Sequence, residues 1–172
     1  INDYAFYGST NLATVTLLSS QIYISDSAFA GCSNVTYQYY ALIDTPVGTE
    51  VAVVDDISGV ELSFDQVTES GDTTILQTES LPEGNYFYLG QTLGYISIDS
   101  SAVFADGVTI TMPYDPLLLT DPSQESNLKL YQFKDNQPID ITQSVDLVNH
   151  TITGLITDHF CMFAVGIPDP IT

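Results

Sequence analysis

Short apolar runs separated by turn residues dominate the chain from Tyr37 onward. Val, Ile, Thr, Tyr and Phe alternate with polar residues in these runs, and Gly, Pro or Asp separates each run from the next. A two-residue alternation is typical of half-buried strands, and no stretch shows the 3.6-residue period of an amphipathic helix. The pattern predicts an all-β fold, a β-sandwich of the Ig-like or a related type.

Two segments of this region predict more than a strand position. Residues 145–154 read as a hairpin whose turn is built around Asn149 and His150. Residues 159–165 place bulky side chains on both faces, which favours a central, buried strand. The full set of predicted strands is 35–43, 49–54, 60–65, 73–79, 85–89, 93–98, 107–112, 128–133, 144–148, 151–155 and 160–166.

The opening of the chain is repeated once at an offset of 23 residues. The pairs are Ile1 and Ile24, Asp3 and Asp26, Ala5 and Ala28, Phe6 and Phe29, Gly8 and Gly31, and Asn11 and Asn34. A period of this length is typical of leucine-rich solenoids, in which each repeat adds a strand and a compact turn to a continuous core. The opening therefore predicts a short solenoid-like tail.

Each repeated position has a physical task. Phe6 and Phe29 are expected to stack in one interior column, while the two glycines permit a tight turn. Asn11 and Asn34 are expected to bond backbone groups left open at the bend. About three repeats are needed for a stable solenoid, so we expect strands near residues 13–18 and 22–25 to form an edge that something else covers.

The repeat "Ile-x-Asp-x-Ala-Phe-x-Gly" with its following Asn resembles the BspA-type leucine-rich repeats of bacterial and archaeal surface antigens. The resemblance covers about residues 1–36, which divides the chain into a repeat-like tail, 1–36, and a sandwich domain, 37–172. Because one and a half repeats are incomplete, the chain could also be a processed or partial form of a longer precursor.

A second resemblance covers about residues 60–167. The segments 62–74, 102–115, 128–133 and 145–165 are similar to a module near the end of large prokaryotic cell-surface and secreted proteins. Those modules usually carry a Trp-containing turn and end in a His-Phe-Ser strand. This chain has no Trp, has Ile139 and Asp140 near that place, and has Cys161 at the Ser position. The resemblance implies a structural or adhesive role.

Charge excludes several partner classes. The chain has 22 Asp and Glu, two Lys and no Arg, which gives a formal net charge of −20. Binding to nucleic acid needs clustered cations, and so does binding to anionic membranes. No apolar run of membrane-spanning length is present, so we expect no membrane insertion. Copies should repel one another at low salt, so salt or divalent cations should favour self-association.

Candidate catalytic chemistry is sparse. His159 and Cys161 are two residues apart and could supply two metal ligands, but a tetrahedral site would need two more, so a packed or hydrogen-bonded histidine beside a buried thiol is the favoured interpretation. The chain has no Gly-x-Ser-x-Gly motif and no Arg for oxyanion or phosphate binding. We therefore expect a non-enzymatic protein that needs no cofactor.

Three further features bear on the environment of the protein. Cys32 and Cys161 could form a disulfide within the chain or between subunits, or remain free thiols. Asn34 and Asn149 lie in glycosylation sequons, which would be used in an exported protein. The acidic loops 54–61 and 115–125 could bind calcium, although turn-forming Asp is a sufficient explanation.

These features together predict an extracellular or cell-surface location. The leading hypothesis is a structural subunit of a surface layer, sheath, filament or stalk that forms a homo-oligomer or polymer through strand edges and apolar contacts. The alternative is an adhesion module of a large surface protein that binds a glycan or protein ligand.

Overall fold

The computed structural model describes residues 1–17, 24–32, 35–39, 41–78, 89–135 and 137–168. The chain divides into two units, Ile1–Leu42 and Ile43–Thr172. This division lies six residues after the boundary that the repeat predicts. Strands make up nearly all of the regular structure, which confirms the predicted all-β sandwich.

Thirteen strands and two short 3₁₀ helices, η1 and η2, form the described part of the chain. In order they are β1 (Thr14–Leu17), β2 (Thr36–Tyr39), β3 (Ala41–Thr45), β4 (Gly48–Val54), β5 (Glu61–Glu69), β6 (Gly71–Thr78), β7 (Leu89–Ser100), β8 (Val103–Pro113), η1 (Pro116–Leu118), η2 (Pro122–Asn127), β9 (Lys129–Lys134), β10 (Gln137–Asp140), β11 (Thr142–Asp146), β12 (Thr151–Ile156) and β13 (Met162–Pro168). None of the helices in the described ranges has the length and apolar character needed to cross a membrane.

Two antiparallel sheets make the sandwich of the second unit. One sheet has the strand order β10-β9-β13-β7-β6-β3, and the other has the order β11-β12-β8-β5-β4. The predicted central strand is confirmed, because β13 lies between β9 and β7. The predicted hairpin is also confirmed, because β11 and β12 pair on either side of a turn at residues 147–150.

At each side of the sandwich, a short segment of chain connects the outer strand of one sheet directly to the outer strand of the other. Residues 46–47 connect β3 to β4, and Ile141 alone separates β10 from β11. The N–H of Ile141 donates to the Leu130 carbonyl at 2.9 Å, and its carbonyl accepts from the Leu155 N–H at 3.3 Å. Ile141 is therefore hydrogen-bonded to a strand of each sheet.

A single apolar core fills the space between the sheets. Alternation along β13 shows how the sequence builds it, since Phe163 and Val165 enter this core while Ala164 packs in a second cluster with Tyr131 and Phe133. The largest fully buried side chains of the main core are Phe64, Phe163, Leu62, Ile75, Ile110, Leu128, Leu130, Ile152 and Ile156. Burying side chains of this size contributes about 1.5–3 kcal/mol each relative to exposure.

The repeat forms two stacked coils in the first unit. The first coil is residues 1–17, and the second coil is described over residues 24–32 and 35–39. Gly8 and Gly31 have φ angles of 71° and 80°, the left-handed conformation that the repeat predicts for its turn. The same backbone bonds recur 23 residues apart: Ala5, Tyr7 and Ser9 donate to Asn2, Tyr4 and Phe6, and Ala28, Ala30 and Cys32 donate to Ser25, Ser27 and Phe29.

One strand per coil completes each repeat, and this corrects the predicted strand at 22–25. Residues 22 and 23 lie outside the described residues, and Ile24 and Ser25 are not in a strand. The second strand is instead β2, which pairs in parallel with β1 so that Thr14 lies opposite Thr36. Parallel stacking of coils requires strands one repeat apart, and here the offset is 22 residues rather than 23.

Most other predicted strands agree with the structure within a few residues. The predicted strand 35–43 is divided between β2 and β3, and residue 40 lies outside the described residues. Residues 79 and 85–88 of two predicted strands also lie outside them. The pattern missed β10, a four-residue edge strand that contains Pro138.

Two glycines of the sandwich provide a matched test of the fold. A Cβ on Gly71 would lie 2.3 Å from the Ala102 backbone nitrogen, whereas a Cβ on Gly94 would have no atom within 4 Å. We expect Gly71→Ala to lower the free energy of unfolding by about 1–3 kcal/mol or more, because backbone cannot move aside cheaply. Gly94→Ala should be neutral or stabilise by up to about 1 kcal/mol. Urea unfolding of both variants measures these changes in the free energy of unfolding. Equal effects would contradict the close approach of Gly71 to the backbone of Ala102.

Candidate functional site

Exposed apolar side chains gather at one end of the sandwich, which we call the apolar loop end. Three turns meet there: residues 55–60 after β4, η1 after β8, and the hairpin turn 147–150. Leu117 and Val148 are the most exposed, at 89% and 86%. The large apolar residues exposed at this end are Val54, Ile57, Leu117, Leu118, Leu147 and Val148.

Backbone contacts hold the three turns side by side. Residue Glu61 at the start of β5 pairs with both Val54 and Thr111, and Thr151 pairs with Pro113 and Asp146, so the strand ends are in register. The Tyr114 N–H also donates to the His150 carbonyl at 2.9 Å. The apolar loop end is therefore a continuation of the five-stranded sheet.

Aspartates of the two acidic loops are used to shape these turns. The buried carboxylate of Asp55 accepts the N–H groups of Ile57 and Ser58, each at 3.1 Å. Asp115 and Asp121 each precede a proline and cap η1 and η2 by accepting an N–H group at 2.9 Å. These bonds support the interpretation that the aspartates of the acidic loops form turns. Calcium binding by the same loops stays a prediction.

A carboxylate bridges two aromatic groups behind the apolar loop end. Glu125 Oε1 accepts from the Tyr114 hydroxyl at 3.0 Å and lies 2.8 Å from His150 Nδ1. The Tyr114 side chain is buried, and its ring contacts the His150 ring edge to face at 5.9 Å. This cluster joins η2 to the hairpin turn, so it positions Leu147 and Val148.

The pKa values of Tyr114 and of the nearby Asp146 are shifted in opposite directions. Burial, followed by the hydrogen bond to Glu125, raises the pKa of the Tyr114 hydroxyl. Hydrogen bonds from Asn149 and Val148 lower the pKa of Asp146, the residue that begins the turn. Among the described residues, no hydrogen bond joins His150 to a Ser, Thr or Cys side chain. Glu125 links η2 to the hairpin turn through Tyr114 and His150, and we call these three residues the clamp.

A groove of about 290 Å³ lies beside the clamp. Lys129 supplies a cation to it and lies 3.3 Å from the Asp140 carboxylate. Burial opposes ionisation of Asp140, but hydrogen bonds from Thr142 and Lys129 outweigh burial and hold the pKa of that carboxyl below its usual value. The lining residues are Ser126, Leu128, Lys129, Thr142, Gln143, Ser144, Val145 and Leu147. Hydroxyl, amide, ammonium and apolar groups therefore face a common space.

The predicted pair His159 and Cys161 lies elsewhere, around β9 and β13. His159 Nδ1 is 3.3 Å from Asp158, which also bonds Lys134. Burial raises the pKa of the Cys161 thiol, although contacts with Gln132 and Lys134 oppose this. Within the described ranges, no group of three or more His, Cys, Asp and Glu side chains is placed to hold a metal ion.

The cysteines and sequons are placed only in part. No disulfide joins Cys32 and Cys161 in this structure, and the Cys32 thiol donates to the Phe6 carbonyl at 3.1 Å. A bridge within the chain or between subunits stays a prediction. Asn149 lies exposed in the hairpin turn, where its amide donates to Asp146 at 2.7 Å, and Asn34 lies outside the described residues. Glycosylation of both also stays a prediction.

The repeat positions form a local stack. The Phe6 and Phe29 rings lie 5.1 Å apart with an interplanar angle of 3°, in the stacked arrangement that the repeat predicts. Phe6 is nevertheless 40% exposed, so this ring is not an interior group in the described structure. Asn11 is exposed, and its side chain bonds no described residue, so the expected role of the asparagines stays a prediction.

Comparison of the chain with protein-family models, with curated proteins and with solved structures finds no match. The resemblances drawn from the repeat and from the sandwich segments therefore stay predictions, and any function must be argued from the surfaces described above.

The Tyr114 hydroxyl predicts a specific response to alkaline pH. An exposed tyrosine ionises near pH 10, whereas folding holds Tyr114 neutral to a higher pH. The unfolded chain thus loses a proton that the folded chain keeps, so this contribution to stability is complete below pH 10 and declines above it. The decline is up to about 1.4 kcal/mol per pH unit for one proton.

Tyr114→Phe should remove that one-proton slope above pH 10. The variant should also have a free energy of unfolding about 1 kcal/mol lower at pH 7, because the hydrogen bond to Glu125 is lost. Urea unfolding at pH 8 and pH 11 measures both effects. An alkaline slope identical to that of the parent chain would contradict the burial of this hydroxyl.

Proposed function

We propose that the chain is a non-catalytic structural subunit of an extracellular assembly, such as a surface layer, sheath, filament or stalk, whose copies associate through strand edges and apolar contacts. The observation that carries this proposal is the grouping of exposed large apolar side chains. One group is Tyr4, Phe6 and Tyr7 on the first coil, and the other is the apolar loop end. Exposed apolar residues that are grouped in this way are typical of interaction sites.

Charge is distributed very unequally between the two units. Of the 22 acidic residues, only Asp3 and Asp26 lie in the Ile1–Leu42 unit, while the Ile43–Thr172 unit carries the other 20 and both lysines. The first unit also holds six of the 11 Tyr and two of the eight Phe. Repulsion between copies therefore comes from the sandwich, and the aromatic coils are the part that can approach a neighbour at the lowest electrostatic cost.

Strand edges support the same proposal. Among the described residues, β1 pairs only with β2, in a sheet of two strands. The outer strands of the two sandwich sheets are β10, β3, β11 and β4, with four, five, five and seven residues, so strand length does not distinguish them from β1 and β2 with four each. The edges of β1 and β2 are instead favoured for pairing between copies because they lie in the weakly charged unit. Placement outside the cell rests on the resemblance of the repeat to surface antigens.

Salt should control the assembly. The Debye length is about 30 Å at 0.01 M and about 3 Å at 1 M ionic strength, so repulsion between the acidic sandwiches is removed at high salt. We expect small species at 10 mM NaCl and larger assemblies at 1 M NaCl or in millimolar calcium, measured by sedimentation velocity and negative-stain electron microscopy. A strict monomer under every condition would contradict the proposal.

A pair of matched variants tests the contribution of the apolar loop end. Leu117→Asp with Val148→Asp adds two charges there, and Val47→Asp with Val103→Asp adds two charges at exposed apolar positions of the opposite end. The first double variant should weaken assembly more than the second. Equal effects would show that net charge alone, and not this surface, governs association.

The groove beside the clamp favours a second candidate, an adhesion module that binds a glycan or protein ligand. Its lining supplies hydroxyl, amide and ammonium groups that can hydrogen-bond a ligand and apolar groups that can pack against it. This function predicts a monomer at all salt concentrations and glycan-array binding that Thr142→Trp abolishes by filling the groove. Array binding that survives Thr142→Trp would exclude the groove as the binding site.

A further inference from the structure

The groove beside the clamp lies between strands of different sheets. At one end β9 and β11 are held together, because the Ile141 N–H donates to the Leu130 carbonyl at 2.9 Å and the Leu130 N–H donates to the Thr142 hydroxyl at 2.8 Å. From there the groove is lined on one side by residues 126, 128 and 129, and on the other by residues 142–145 and 147. The groove is therefore a cleft between the two sheets at the side of the sandwich.

A β-bulge places Gln143 at this groove. Thr142 lies opposite Gly154 on β12 and Ser144 lies opposite Thr153, so Gln143 is an extra residue of β11 in this strand pair. A bulge redirects a side chain and twists the strand edge, which disfavours pairing with a further strand. Gln143 is exposed, lines the groove and forms no side-chain hydrogen bond with the described residues. Its amide is available to a ligand, whereas a peptide strand fits this edge poorly.

The groove offers both donors and acceptors of hydrogen bonds. The Gln143 amide has two N–H donors and one carbonyl acceptor, and the Lys129 ammonium has three N–H donors, one of which faces Asp140 at 3.3 Å. Ser126 adds an exposed hydroxyl that bonds no described residue. A hydroxyl group on a ligand both donates and accepts, so a ligand with several hydroxyl groups matches this set.

Apolar side chains form the rest of the lining. Leu128 is 1% exposed, Val145 is half-buried, and Leu147 is 46% exposed at the rim. The volume of about 290 Å³ lies just below the range of about 300–1,000 Å³ that is usual for small-molecule sites. The matching ligand is therefore small and has an apolar face as well as hydroxyl groups.

The charges around the groove favour an uncharged ligand. Lys129 is the one ionisable residue in the lining, and Asp140 neutralises it. An anionic ligand would approach a unit that carries 20 acidic residues and two lysines. A cationic ligand would meet the Lys129 ammonium, and no carboxylate in the lining would pair with it.

We propose that this groove binds one uncharged pyranose sugar unit. Gln143 and Lys129 hydrogen-bond its hydroxyl groups, and Leu128, Val145 and Leu147 pack against its C–H face. The inference rests on the second candidate function, the adhesion module, and adds to it the class of ligand and the residues that select that class.

Titration of the ¹⁵N-labelled full chain with methyl glycosides tests the ligand class by NMR. The neutral probes are the methyl glycosides of glucose, galactose, mannose and N-acetylglucosamine. At least one should saturate at millimolar concentration and shift the amides of Lys129, Gln143 and Val145. Methyl glucuronide, which is anionic, and methyl glucosaminide, which is cationic, should bind about tenfold more weakly or less.

A glutamine variant tests the role assigned to the bulge. Gln143→Ala should weaken binding of the neutral glycoside by about fivefold to tenfold, because one or two hydrogen bonds are lost. Gln66→Ala on β5 is the matched control, since Gln66 is also exposed but does not line the groove, and it should leave binding unchanged. Unchanged amide shifts outside the groove show that each variant is folded.

The outcomes separate this inference from the adhesion function. Glycan-array binding that Thr142→Trp abolishes but Gln143→Ala leaves unchanged would overturn the inference and leave adhesion through the groove intact. Tighter binding of methyl glucuronide, or larger shifts of the β11 amides with an acetylated Thr-Val-Thr-Val peptide, would overturn the ligand class. No array binding and no shift with any glycoside would overturn both the inference and the adhesion function.

Discussion

Backbone hydrogen bonding at strand edges is the constraint on which this structure depends. Every strand must have its N–H and C=O groups paired or leave them in water, and a sheet edge left open is a template for another strand. In the sandwich the chain passes directly from sheet to sheet, with Ile141 bonded to both, and β3, β4, β10 and β11 remain the outer strands of the two sheets. The coils meet the constraint on one side only, through the β1 and β2 pair.

The same division appears in the charges and the side chains. The sandwich carries nearly all of the acid, and its apolar residues fill one core between two sheets. The coil unit is almost uncharged and exposes aromatic rings. A protein with these two parts can remain dispersed at low ionic strength and associate when its charges are screened. Within the sandwich, the bridge from Glu125 to Tyr114 and His150 fixes the turn that carries the second apolar surface.

Local periodicity in the sequence predicts much of the fold, and each success or failure has a physical reason in the strand concerned. The alternation in 159–165 predicted a buried central strand because both faces of β13 are covered, and the Asn149 and His150 turn was predicted because its flanking strands pair with each other. β10 was missed because a short edge strand with a proline carries little pattern. The prediction of a second coil strand at 22–25 is wrong because it ignores the repeat: the offset of 23 residues applied to the predicted strand 13–18 gives 36–41, which contains β2.

The candidate surfaces were harder to predict than the strands. The stack of Phe6 on Phe29 follows from the repeat, since equal positions in a solenoid lie above one another. The apolar loop end and the Glu125 clamp join residues far apart in the chain, and their proximity depends on the order of strands in the five-stranded sheet. The uneven charge was visible in the sequence as a count of acids on either side of residue 42, once that boundary was known.

Hydrogen–deuterium exchange of the β1 and β2 amides tests the central claim most directly. The account predicts that these amides exchange quickly in dispersed chains at low salt and become strongly protected in assembled material at high salt, while amides of the central strand β13 are protected equally in both. Assembled material in which the β1 and β2 amides still exchange as fast as in the dispersed chain would contradict the account.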